Sequence, residues 1–199
     1  MECQNLVQCG YHKNYKIMNW QEKLRTFEKN KEWDNAIGLM KETVAESPND
    51  FWAYVQAIYL FHNILLEEDY PEEKQDDLAA LLQEYFELSK SKFSDNSEYL
   101  FFIGKILHIA EWYFGLDDNQ LALEFQEMAM DKESGNLLYE WAYRLSCPGD
   151  TVEGYLANQL IENKDEKVEW LKTKGFPGEY ILEHLKMSSE RYTEKEAST

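Results

Sequence analysis

Residues 45–54 read AESPNDFWAY, and the fold turns on how this stretch is parsed. Pro48 has no amide proton and its ring clashes with the turn before it, so a helix arriving at Ser47 must stop. Asn49 or Asp50 can then cap a new helix by accepting a hydrogen bond from its first free amides. The stretch is therefore a hinge between two helices. Polar turns followed by aromatic-rich helical starts return as SDNSEYLFF from Ser94 and SGNLLYEWAY from Ser134.

Working outward from the hinge, residues 19–29 carry Trp20, Leu24 and Phe27 at helical spacing. Residues 33–46 repeat the pattern with Trp33, Ala36, Ile37, Met40 and Val44. The short break at Asn30 makes these two segments an antiparallel hairpin. Residues 51–66 and 99–114 are apolar on nearly every side, as helices in the middle of a structure are. Residues 72–88 and 119–131 are one-sided. Leu78, Leu81, Leu82 and Tyr85 oppose Glu73, Asp76, Asp77, Glu84 and Glu87 in the first; Leu121, Ala122, Phe125, Met128 and Ala129 oppose Glu124, Glu127 and Asp131 in the second. Alternating buried and surface helices are what a stack of helical hairpins produces. Shorter helices are expected over 137–146, 151–163, 165–173 and 178–191, closing the last apolar face as a cap. The reading is an all-α domain over 19–192, with residues 1–18 as an N-terminal segment and 193–199 as a frayed tail.

Composition agrees. Only 9 Gly and 4 Pro occur in 199 residues and no strong hairpin dipeptide appears, while 44% hydrophobic and 15% aromatic content supplies a core. FWAYVQAIYLFHNILL is interrupted by Gln56, His62 and Asn63, which argues against a membrane span. The first sixteen residues lack the apolar core of a secretory signal, so a cytoplasmic location is expected. Cys3, Cys9 and Cys147 have neither CxxC spacing nor an even count, so no disulfide framework or zinc site is expected.

The spacing of the first hairpin resembles a tetratricopeptide repeat. With Ile17 in first place, Trp20, Phe27, Ala36, Met40 and Pro48 fall on that family's fourth, eleventh, twentieth, twenty-fourth and thirty-second positions; Lys23, Leu24 and Thr43 depart from it. A weaker match from Ile103 places Ile109, Ala110, Tyr113, Ala122 and Ala129. The resemblance covers about half the chain. It implies a right-handed stack of antiparallel hairpins whose concave groove holds a peptide or protein, and by position it puts Gln21, Arg25, Glu28, Tyr59, His62 and Glu111 in that groove. The family's clamp for a ligand's C-terminal carboxylates needs Lys, Asn and Arg there, and only Arg25 fits.

The formal net charge is −18; residues 1–31 carry six Lys and Arg against three Glu, leaving −21 for residues 32–199. Such a body repels phosphates, so nucleic acid is excluded as its partner and a basic protein is the natural one. The run EEDYPEEKQDD places Glu67, Glu68, Asp69, Glu72, Glu73, Asp76 and Asp77 together as a docking patch; alternating ligands and a central Gly, which a calcium loop needs, are absent. His108 and Glu111, three apart, can share one metal ion with His62 and Asn63 nearby, but the order is not the Glu-x-x-His of carboxylate-bridged bundles and has no second copy. No GxSxG, P-loop, GxGxxG or HExxH sequence occurs. The function expected is a non-enzymatic acidic binding module without metal or cofactor, of the immunity or antitoxin type. A peptide-binding co-chaperone or scaffold is the alternative, and a helical metal-dependent enzyme the rival from another class.

Overall fold

The hinge folds as its residues require. In the computed structural model, which describes residues 19–147 and 152–197, α2 (Trp33–Glu46) ends at Ser47, and the Asp50 carboxylate accepts from the Trp52 amide at 2.9 Å to open α3 (Phe51–Glu67). The Lys92 ammonium donates to the Pro48 carbonyl at 2.9 Å and pins the loop. The same device opens other helices. Asn19 caps α1 (Trp20–Lys29), Asn96 caps α5 (Ser97–Leu107), Asn136 caps α7 (Leu137–Ser146) and Asp165 caps α9 (Glu166–Lys172). Each such cap contributes about 1 kcal/mol relative to alanine.

Among the described residues all regular structure is helical, completed by α4 (Glu72–Phe93), α6 (Gln120–Lys132), α8 (Val152–Glu162), α10 (Gly175–Ala197) and a 3-10 turn over Glu111–Phe114. Chain neighbours pack together: α1 on α2, α2 on α3, α3 on α4, α5 on α6, and onward to α8. The central α3 and α5 touch each other and are covered on nearly all sides, whereas α4 and α6 keep one wet face. Tyr99, Phe101, Phe102, Phe61, Phe86 and Trp141 are completely buried. Aromatic side chains of this size dominate the hydrophobic stabilisation.

Helices α5 and α6 approach closely at Gly104. A Cβ there would stand 2.8 Å from the Gln126 Cγ and 3.2 Å from the Ala122 carbonyl. The buried Gln126 amide donates to the Gly104 carbonyl at 3.0 Å, and the Ser146 hydroxyl donates to Gln126 Oε1 at 3.0 Å. One polar chain thus ties α5, α6 and α7 and satisfies groups that would be costly to bury alone.

The structure departs from the sequence expectation in four places. The segment 99–114 is not one helix: α5 stops at Leu107, Ala110 turns the chain, and the 3-10 turn swings Tyr113 and Phe114 over the α3–α4 pair. The Tyr113 hydroxyl donates to the Leu65 carbonyl at 2.9 Å, and Phe114 packs on Phe86. The expected separator GFPG at 175–178 is instead the first turn of α10, where proline's missing amide costs nothing. That helix runs through Thr193 to Ala197, and α4 continues five residues past 88. The expected N-terminal segment, most of the 147–151 connection, Cys3, Cys9 and His12 lie outside the described residues. No helix among the described residues is long and apolar enough to cross a membrane.

Helix α10 lies along α8, as a cap would, but it also reaches α1. The Lys174–Gly175 turn crosses to α1 and α3, and Gly175, at φ +62°, brings its backbone against Gln56 and Arg25. The C-terminal hairpin thereby spans the face that α1, α3 and α5 present on their shared side.

Candidate functional site

The residues expected to line an open groove meet this hairpin. Gln56 donates to the Lys174 carbonyl at 3.0 Å. The Lys174 ammonium pairs with Glu98 and sits 4.7 Å from the Trp52 ring and 4.6 Å from the Trp170 ring. Trp170 packs on Phe101 and Phe102, and Tyr180 on Tyr59. Tyr59 is consequently 8% exposed and His62 only 2%. Tyr59 cannot contact a partner without displacing α10, and His62 lies beneath Tyr113 and Phe114 of the 3-10 turn.

Gln21, Arg25 and Glu28 remain together. They line an opening of about 220 Å³ with Glu22, Trp52 and Gln56, floored by the Lys174–Phe176 backbone. Arg25 lies 3.6 Å from Glu179 of α10. Burial pushes the Glu28 carboxyl up to about 8; Arg25 opposes the shift and Glu179 adds to it. The carboxyl therefore keeps its proton for the most part at neutral pH. A cation entering the opening would draw it into the charged form, since an opposite charge favours ionisation.

His62, His108 and Glu111 do not assemble. His62 stacks 5.7 Å from the Phe114 ring, and burial pushes it down to about 4, with Nε2 unpartnered. His108 follows the end of α5, whereas Glu111 opens the 3-10 turn, so the two are not one helical turn apart. Among the described residues no three His, Cys, Asp or Glu side chains converge as a metal would require. Sequence reading missed Lys105, 3% exposed, with its ammonium 5.5 Å from the Trp141 ring and no carboxylate in ion-pair reach among the described residues. His108 and His184 both sense its charge. A lysine inside the uniformly apolar run of 99–114 was the available signal.

The acidic run does not form one patch. Glu67, at the end of α3, faces Tyr180, and Glu68 pairs with Lys31 at 2.8 Å. Asp69 is exposed before the buried Tyr70, whose hydroxyl donates to Asp34 at 3.0 Å. Glu72, Glu73, Asp76 and Asp77 stand exposed on the first turns of α4, where the helix dipole favours them. The run's one cation, Lys74, is engaged by Asp34 at 2.7 Å, which holds the Asp34 carboxyl below its usual range. The four α4 carboxylates keep their charge outward.

No protein-family model, curated protein or solved structure matches this chain.

Proposed function

We propose that the chain is a non-enzymatic, tetratricopeptide-like binding module that acts in the cytoplasm by covering a basic partner protein, in the manner of an immunity or antitoxin protein. The observation that carries this reading is the occupation of the inner face by the chain's own Trp170–Tyr180 segment. With that face filled, recognition falls to the outer surface of a body that is acidic throughout, −21 over residues 32–199. Field lines from such a surface speed encounter with a cation-rich protein and repel nucleic acid.

The test is native purification at low salt, identification of the partner, and stopped-flow association with that partner purified. A folded, strongly basic partner is expected, with an association rate that falls at least about tenfold between low and high salt. A rate indifferent to salt, or tight capture of a short C-terminal peptide with α10 released, would overturn the reading in favour of a groove-binding scaffold.

A further inference from the structure

Residues of α2 and α4 line a second, open hollow. It has a volume of about 570 Å³ and is lined by Ile37, Leu78 and Leu81, with Asp77 and Glu84 on the α4 side. The Asp34–Lys74 pair stands at one end and Lys41 farther along α2. Asp34 and Lys74 satisfy each other. Asp77 and Glu84 have no ion pair or hydrogen bond among the described residues.

Asp77, Leu81 and Glu84 follow at spacings of four and three, so they form one stripe of α4, with the two carboxylates about 10 Å apart along the helix axis. An apolar floor between two unneutralised carboxylates has a definite complement: an amphipathic helix with cations seven residues apart and apolar side chains between them. Seven residues are two turns on both partners, so both charge pairs can close while the leucine-type side chains descend between α2 and α4. Three carboxylates against Lys41 and Lys74 give the lining a net negative charge that disfavours an acidic helix, and the apolar floor distinguishes the hollow from the merely solvated carboxylates of Glu72, Glu73 and Asp76.

We infer that the α2–α4 groove is the seat of a basic amphipathic helix of the partner protein, gripped by Asp77 and Glu84 around the Ile37–Leu78–Leu81 floor. This rests on the basic-partner reading and narrows it to one surface.

The probe is a fluorescein-labelled, alanine-based helical peptide with two lysines seven residues apart and leucines at the third and fourth positions after the first lysine. A control carries glutamates for the lysines. Binding is read by anisotropy at low salt and by amide shifts of the full chain. The lysine peptide is expected to move amides of 37–41 and 77–84, and the glutamate peptide to move none. Asp77→Lys with Glu84→Lys, both exposed on α4, should weaken the lysine peptide at least tenfold while the melting temperature falls by no more than a few degrees, the share of Asp77 in the α4 dipole interaction. Leu81→Ser should weaken it at least threefold, which a purely electrostatic contact would not do. Unchanged affinity in the double variant, or shifts confined to other segments, overturns the groove. In that event, salt-dependent association of hen lysozyme, a folded basic protein, would leave the basic-partner reading standing; failure of lysozyme and peptide alike would remove both.

Discussion

Replacing Lys105 by methionine should stabilise the protein at neutral pH and leave it little changed above pH 10.5. Lys105 is 3% exposed and has no carboxylate in ion-pair reach among the described residues; burial pushes its ammonium from 10.5 down to about 8. At about 1.4 kcal/mol per pKa unit the drop corresponds to roughly 3 kcal/mol. The sign follows from where the proton sits. Below about pH 8 both folded and unfolded chains hold it, and the folded state bears the full cost of a buried charge. Between about 8 and 10.5 the folded state releases the proton first, so the stability of the parent rises. Methionine keeps the stem's packing volume and has no proton to lose. It forfeits the ammonium's contact with Trp141, worth roughly 1 kcal/mol, so the net gain at pH 7 is about 2 kcal/mol. Urea unfolding of both proteins from pH 6 to 10.5 measures the gap directly. The buried phenols of Tyr59, Tyr99 and Tyr139, all pushed up by burial, titrate in both proteins and cancel in the difference. A gap that is constant across pH, or a methionine variant less stable at pH 7, would refute the account of Lys105 as an uncompensated buried cation.

Glu28→Gln tests the opposite slope: a carboxyl raised to about 8 keeps its proton in the folded state while the unfolded chain releases it near 4.5, so parental stability falls across that window. The variant should match the parent below pH 4.5 and exceed it by up to roughly 4 kcal/mol at pH 8, again by urea unfolding. Gly104→Ala forces a Cβ to 2.8 Å from Gln126 and should lower stability by about 1–3 kcal/mol as α5 and α6 are pushed apart. Gly38→Ala meets open space within α2 and should raise stability by roughly 0.5–1 kcal/mol; a loss in thermal melting would mean that the site is not open.

Much of the architecture was legible because local chemistry and tertiary packing agree in it. Pro48 with Asp50, Asn96 and Asn136 mark helix starts through backbone sterics and capping, which depend on a few adjacent residues. The one-sided patterns of α4 and α6 likewise reflect a single wet face. The break at 108–110 was not legible, because a segment apolar all round has no periodicity to lose. What bends the chain there is the long-range bond from Tyr113 to the Leu65 carbonyl and the packing of Phe114 on Phe86. The start of α10 was misplaced because Pro177 reads as a breaker until its position within the helix is known.

The candidate groove exposes a deeper limit, and it bears on function. All-round apolarity of α3 says that Tyr59 and His62 are covered but is silent on what covers them, since a peptide ligand presents the same chemistry as the chain's own α10 over Tyr59 and its 3-10 turn over His62. The hairpin carries its own signs: Trp170, Phe176 and Tyr180 form a string too apolar for a solvated cap. Gly178 has no room for a side chain, because a Cβ there would lie 2.0 Å from the Leu171 carbonyl. That closeness fixes the angle at which α10 leaves α9, and so carries Lys174 onto Trp52 and Tyr180 onto Tyr59. A tightly set intramolecular ligand competes at a high effective concentration, and a free peptide would have to overcome it before making any contact. On the binding role proposed above, recognition would fall to the outer helices, where Asp77 and Glu84 stand without an ion pair among the described residues.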